Sequence, residues 1–274
     1  MNIDNTSDAQ PFGGSPILSN KRYTSPSVFT PESLLREARR QKRLPFEPVP
    51  AVCILDPDGD LVDYLRAAQR SQRQIAWACY HSQLDIFVHA GIEYGLVGRV
   101  VGAPYAVLVA EELFASGCQL IISITSAGQI TPIGQPPYVV LIDKALRDEG
   151  TSYHYLPPSP FSHLRPELAE LLRDTWATGS VQMHIGASWT TDAPFRETEE
   201  MIAACSANGI LAVEMEAAAL YALAQAKQYD IVCFAHVTNQ MAQQGDDFEK
   251  GPDQGSQAAL QVIDHTARHL HYRA

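Results

Sequence analysis

Positive charge is scarce in this sequence: 20 Lys and Arg stand against 31 Asp and Glu, for a formal net charge of −11. That balance repels a polyanion, so no nucleic-acid partner is expected. A small anion such as phosphate remains compatible, because a local arginine or a helix N-terminus can bind one even in an acidic protein. Cysteine is sparse and odd in number: Cys53, Cys79, Cys118, Cys205 and Cys233 show no C-x-x-C spacing, which argues against a disulfide framework or a structural zinc site. In apolar surroundings they read as reduced, buried thiols. No apolar run approaches the roughly 18 residues of a membrane span, and the polar start, 1–20, has no signal-peptide core. A cytoplasmic protein without membrane contact is the expectation.

The chain has 274 residues, 46% of them hydrophobic and 19% charged, a composition suited to a globular protein with a sizeable core. Residues 1–30 read as a flexible tail and 31–274 as one domain. Thr30 and Pro31 provide an N-cap and a first-turn proline for a helix to about residue 43. That helix carries Arg36, Arg39, Arg40, Lys42 and Arg43, read as a solvated basic face. After the stiff connector Pro45–Pro50, strands and helices alternate. Strands are predicted at 51–55, 84–88, 92–100, 120–125, 138–142, 181–185 and 231–237. The run 120–125 is expected to stop at a Ser126-Ala127-Gly128 turn. Helices are predicted at 61–70, 104–116, 166–178, 197–208, 216–227 and from Ser256 to about 272. Such alternation implies an α/β fold, a mostly parallel (mixed) central sheet flanked by helices, with its site outside the carboxyl ends of the strands.

The segment richest in chemistry is Val213-Glu214-Met215-Glu216-Ala217-Ala218-Ala219, where a strand end runs into an Ala-rich helix. A carboxylate there can accept hydrogen bonds from both hydroxyls of a sugar diol, and a methionine offers a soft apolar platform. Acidic residues also favour a helix start for purely structural reasons. In this setting Glu-Met-Glu-Ala-Ala resembles the ribose-binding signature of the uridine and purine nucleoside phosphorylase family, which includes nucleosidases. The resemblance runs from about Pro50 to the C-terminus. It implies a nucleoside phosphorylase-like fold, with Glu216 on the ribose hydroxyls, Met215 against the sugar and Glu214 in support. Thr125, Ser126 and Gly128 resemble the segment beside phosphate and sugar, with Ser126 and Gly128 lining the nucleophile pocket. Gly186–Thr198 resembles the base-binding segment, in which Phe195 stacks and Arg196 donates to a base carbonyl. Ile231–Asn239 resembles the strand whose last residue, Asn239, faces the base. Arg147 and Glu149 read as structural first.

Where the family's phosphorylases carry a Gly-Asp-Pro-x-Arg turn, this chain has Leu55-Asp56-Pro57-Asp58-Gly59-Asp60, without arginine. A calcium loop does not fit either, since Ala67 stands where the closing Glu belongs. Ile122-Ser123-Ile124 replaces the second phosphate arginine; the basic helix, Arg22 or Arg99 would have to supply the charge. Asn239 stands where many purine-specific members have Asp, and an amide cannot deliver a proton. Lys250, in the polar stretch 240–254, reads as plain solvent exposure. The expectation is phosphorolysis of a uridine-like or purine nucleoside, with Glu216, Asn239 and Ser126 central to catalysis. Hydrolysis by water and a non-catalytic nucleoside binder are the alternatives. The resemblance further implies nucleoside and phosphate as partners, a homo-oligomer (dimer, trimer or hexamer), and no metal or organic cofactor.

Overall fold

The computed structural model describes residues 15–176, 181–241 and 247–270. Its strands are β1 (Val52–Asp56), β2 (Ser71–Arg73), β3 (Asp85–His89), β4 (Ile92–Gly98), β5 (Leu120–Gln129), β6 (Tyr138–Asp148), β7 (Phe161–His163), β8 (Met183–Thr191), β9 (Ile210–Glu214) and β10 (Asp230–Asn239). The helices are α1 (Pro31–Lys42), α2 (Asp60–Ala67), α3 (Ala103–Ala115), α4 (Pro166–Leu172), α5 (Glu199–Ala207), α6 (Ala217–Lys227) and α7 (Ser256–Leu270).

The fold is α/β around a mixed sheet in the order β10-β6-β8-β9-β5-β1-β4-β3-β2, with β7 added to β6. An extra β10–β5 pairing joins the ends of its first part. The strands β5, β10, β6, β8 and β9 therefore follow one another around a closed ring. The β5–β10, β6–β8 and β8–β9 pairs are parallel, whereas β6–β10 and β5–β9 are antiparallel. Closure removes sheet edges and leaves strand ends from different parts of the chain side by side.

Local chemistry accounts for the main elements. The Thr30 hydroxyl accepts from the Ser33 N–H and Pro31 opens α1, while Arg43 closes it in the left-handed region. Every residue of α6 from Ala217 to Ala224 is buried. Its five alanines in that stretch let it lie close to β6, β8 and β10, as expected of a helix apolar all round. α6 also packs on α3, which α1 covers in turn; α7 packs against α2, α4 and β5.

Several expected boundaries move. The predicted turn at Ser126-Ala127-Gly128 is instead strand: β5 continues to Gln129 because Gly128 pairs with Val213 of β9 on one side and Asn239 of β10 on the other. The Met241 side chain lies close over this glycine, so that a Cβ would stand 2.2 Å from its Sδ and the thioether would have to move aside. β6 and β8 outrun the predicted 138–142 and 181–185 for the same cause, pairing with each other as far as Asp148 and Thr191. The helix predicted from 197 starts at Glu199, because the Thr198 hydroxyl caps it by accepting from the Met201 N–H. α4 stops at Leu172 rather than 178. The short strands β2 and β7 are absent from the sequence prediction, three residues being too few to show a period. The predicted end of the last helix, 271–272, lies outside the described residues.

Candidate functional site

The end of β9 and the start of α6 are wired together by one carboxylate. Glu214 accepts from the Ser188 hydroxyl at 2.9 Å and the Thr190 hydroxyl at 2.5 Å on Oε1, and from the Glu216 and Ala217 N–H groups, both at 2.7 Å, on Oε2. The Thr190 Oγ1 accepts in turn from the Ala218 N–H at 2.9 Å. These bonds satisfy the open N–H groups of the α6 N-terminus. Burial pushes the Glu214 carboxyl up, against the pull of its four donors. With all four bonds made inside the protein, Glu214 fixes its neighbours and has no spare oxygen for a ligand.

Glu216 is the opposite case. It is 2% exposed, and its Oε1 accepts from the Gly102 N–H at 2.7 Å while Oε2 is buried without a hydrogen-bond partner. Burial, and then the adjacent Glu214 charge, raise its carboxyl to about 8; the Gly102 N–H and the Thr125 hydroxyl oppose the rise. A buried carboxylate oxygen left unpaired is costly. That oxygen is open to accept a hydrogen bond from an incoming donor. Met215 is half-buried beside it, and Thr125 is buried within β5.

Ser126 follows Thr125 and is half-buried. Its N–H donates to the Asp58 Oδ2 at 2.7 Å, so a carboxylate of the chain itself sits on this backbone donor. Asp58 belongs to the β1–α2 turn, whose shape is set by Asp56. The Asp56 carboxylate accepts from the Gly59 and Val62 N–H groups, and burial raises it to about 7. Asp56, Asp58, Asp60, Thr125, Ser126 and His236 line one small cavity. Lys250 forms an ion pair with Asp60 and stands 3.8 Å from Asp58. The expectation of a solvent-exposed Lys250 is therefore corrected: its side chain is 21% exposed and is drawn in by two carboxylates.

Of the cations considered as substitutes for the phosphate arginines, Arg99 lies against Gly59 of this turn, and none forms an ion pair with Asp58 or Asp60 among the described residues. Arg99 pairs with Asp63, Arg36 and Arg40 with Glu37, and Lys42 donates to the Ala78 and Cys79 carbonyls. Arg39 lies over the Phe46 ring.

At the end of β10, Asn239 is 8% exposed. Its Oδ1 accepts from the Met241 N–H at 2.9 Å, and its Nδ2 donates to the Thr238 hydroxyl at 3.2 Å and, more weakly, to the Ala127 carbonyl at 3.5 Å. The acceptor of this amide is committed and its donor only loosely held. Phe195 and Arg196 lie in a one-turn helix, Pro194–Arg196, just beyond β8; both are exposed, Phe195 at 99%. The structure thus brings Glu216, Met215, Glu214, Thr125, Ser126, Gly128 and Asn239 together around β5 and the ends of β9 and β10, and leaves Phe195 and Arg196 exposed beyond β8 with no contact to the carboxylates among the described residues. Arg147 and Glu149 hold the loop after β6. Arg147 donates to the Ser152 and Ser159 hydroxyls and to the Leu156 and Pro157 carbonyls, and Glu149 accepts from the Thr151 and Ser152 N–H groups.

Sequence reasoning missed Asp58, the Gly102 N–H, Ser188 and Thr190 as parts of this arrangement. The Asp56-x-Asp58-x-Asp60 turn was a visible signal for the first; Ser188 and Thr190 lay inside the segment that resembles the base-binding one, with no sign of their pairing to Glu214, and the β4–α3 connection carries no local mark.

The profile of the phosphorylase superfamily matches residues 84–268, which include every one of these strand ends except that of β1. The chain belongs to the phosphorylase superfamily. A guanosine phosphorylase of Halorubrum lacusprofundi is 26% identical over 190 residues, covering 67% of this chain and 71% of that protein. Two solved structures share the fold. One is a purine nucleoside phosphorylase from Toxoplasma gondii in complex with immucillin-H, with a TM-score of 0.66 and 18% identity, covering 80% of this chain and 90% of that one. The other is a uridine phosphorylase from Vibrio fischeri in complex with 6-hydroxy-1-naphthoic acid, with a TM-score of 0.64 and 18% identity, covering 82% and 92%. Within this superfamily chain, no helix among the described residues is long and apolar enough to cross a membrane.

Proposed function

We propose that the chain cleaves the N-glycosidic bond of a nucleoside and that water, rather than phosphate, is the nucleophile. The observation that carries the choice of water is the Asp58 carboxylate on the Ser126 N–H. A phosphate would have to displace this built-in anion and then sit beside Asp58 and Asp60, with Lys250 already shared between them and Arg99, against the same turn, already paired with Asp63. Two like charges in contact repel by several kcal/mol, of order 4 at 4 Å for an effective dielectric near 20.

In this reading Glu216 accepts from the ribose 2′- and 3′-hydroxyls through its unpaired Oε2, Met215 supports the ring, and Glu214 keeps Glu216 in place. A water held by Asp58 and the Ser126 hydroxyl attacks C1′. Its oxygen forms the new bond as the C1′–N bond breaks, and one of its protons passes to the Asp58 carboxylate. The base departs with the bonding pair, is met by the Asn239 Nδ2–H, and takes its proton from solvent. The transition state carries positive charge on the sugar, and a pocket of carboxylates favours that charge. Phe195 and Arg196 would close on the base from beyond β8. No metal or organic cofactor enters this scheme, and a homo-oligomer follows from the family resemblance.

Phosphorolysis is the second reading, favoured by the guanosine phosphorylase relative. One assay decides between them: release of free base from a panel of purine and pyrimidine nucleosides, with and without inorganic phosphate. Equal release in phosphate-free buffer supports hydrolysis. Release that depends on phosphate replaces it with phosphorolysis, and binding without release from any nucleoside leaves a non-catalytic nucleoside binder.

A further inference from the structure

The turn after β1 places three carboxylates, Asp56, Asp58 and Asp60, within five residues and around one cavity. Asp56 is committed to the backbone of its own turn. Asp58 and Asp60 have side chains 32% and 31% exposed, so both have water to turn towards. Mutual repulsion and hydration alike would draw Asp58 outward, yet it is seated inward on the Ser126 N–H. The countercharge that faces it comes from the far end of the chain.

Lys250 is brought there by a segment fixed at both ends. The Glu249 N–H donates to the Thr238 carbonyl at 2.8 Å, tying the segment to β10. On the other side, Gly255 has φ +77°, and a Cβ there would lie 2.3 Å from His236 Cε1 and 2.9 Å from the Lys250 carbonyl oxygen. The backbone thus lies directly against His236, whose ring is 8% exposed and reaches the same cavity. The Lys250 side chain runs from this segment to Asp60 and Asp58.

We infer that Lys250 is a positioning residue: its ammonium group, bridged between Asp60 and Asp58, seats the Asp58 carboxylate on the Ser126 N–H and so places the acceptor for the attacking water. This rests on the hydrolytic reading above for its catalytic consequence, but the seating of Asp58 stands on geometry alone. The groups around Asp58 are Asp56 and Asp60 from its own turn, Ser126 from β5, His236 from β10 and Lys250, while Arg99 lies against the adjacent Gly59 but pairs with Asp63. Among them Lys250 carries a fixed positive charge.

The test reads the seat directly. Amide hydrogen exchange at Ser126, followed by NMR on the full chain, is compared for wild type, Lys250→Met, Lys250→Arg and Asp58→Ala. Asp58→Ala defines the exchange rate with the acceptor gone. In Lys250→Met the Ser126 amide should speed up by about 10-fold or more, approaching that limit, while Lys250→Arg should stay within about 3-fold of wild type. Neighbouring β5 amides serve as the control for general loosening. Unchanged Ser126 exchange in Lys250→Met overturns the inference, as does acceleration shared by all of β5. Base release supplies the second arm. Lys250→Met should lose about 10-fold or more in kcat with little change in KM, and Lys250→Arg should recover most of it. A rise in KM alone would make Lys250 a substrate contact and sink the positioning role. If wild type releases base only with phosphate, the hydrolytic reading fails, while the exchange result still decides the seating of Asp58.

Discussion

Replacing Glu216 by glutamine should make the protein more stable and, in the same stroke, unable to hold a nucleoside well. The side chain is 2% exposed, with one oxygen on the Gly102 N–H and the other unpaired. Its carboxyl lies at about 8 against an ordinary 4.5, chiefly through burial. A carboxyl raised on folding stabilises the native state below its unfolded value, and that contribution is lost as the pH climbs through the folded value. Stability should therefore fall between pH 4.5 and 8. At about 1.4 kcal/mol per pKa unit the full loss is about 5 kcal/mol, of which about 3 kcal/mol is already gone at pH 7. Glutamine keeps the shape and the bond to Gly102 but does not ionise. Glu216→Gln should thus recover up to about 3 kcal/mol at pH 7, less whatever its amide loses by facing a dry pocket. At about 2–4 °C per kcal/mol, a rise in Tm of several degrees is expected. The variant should also show a shallower decline in stability from pH 5 to 8 than wild type, the part that remains coming from groups such as Asp56, raised by burial to about 7. Nucleoside affinity should drop about 10- to 100-fold, because the amide leaves a sugar hydroxyl without the oxygen acceptor that the carboxyl offers. Urea unfolding across pH 5–8 and calorimetric titration with nucleoside measure the two halves. A variant less stable than wild type at pH 8, or one that binds nucleoside equally well, would refute the reasoning.

Three further changes separate structural from functional roles. Thr190→Val removes a donor to Glu214 and strands the Ala218 N–H, so it should cost about 2–4 kcal/mol by urea unfolding; an effect below about 0.5 kcal/mol would mean that this network is dispensable. Phe195→Ala touches a ring that is 99% exposed and should leave stability within about 0.5 kcal/mol, while raising nucleoside KM about 3- to 10-fold through lost stacking; an unchanged KM would remove Phe195 from the base site. Gly128→Ala puts a methyl 2.2 Å from the Met241 Sδ, a flexible thioether able to yield, so stability should fall by only about 1–2 kcal/mol. Because Met241 is tied to the Asn239 amide, base release by this variant should fall further than its Tm alone accounts for. Activity that simply tracks stability would contradict that link.

The α/β class, the helix caps and the buried apolar strands were legible in the sequence because they rest on local chemistry and short periods: Thr30-Pro31, Thr198, the alanines of α6, the apolar run of β10. The Glu-Met-Glu-Ala-Ala segment was legible as a place of interest for the same reason. Its two acids, however, are alike in sequence and unlike in the structure. Glu214 became a saturated strut because β8 brings Ser188 and Thr190 beside it, and Glu216 kept an open oxygen because Gly102 covers only the other. The Ser-Ala-Gly segment read as a turn because glycine usually marks one; ring closure between β9 and β10 made it strand. The nucleophile pocket was least visible of all. Asp58, Ser126 and Lys250 are separated by 68 and 124 positions, and no spacing rule relates residues so far apart. The sequence by itself determined which residue types stand at the strand ends, carboxylates in place of arginine in the turn after β1 included; only the tertiary structure, through the parallel β1–β5 pairing that sets this turn beside β5, decided that Asp58 sits on the Ser126 N–H.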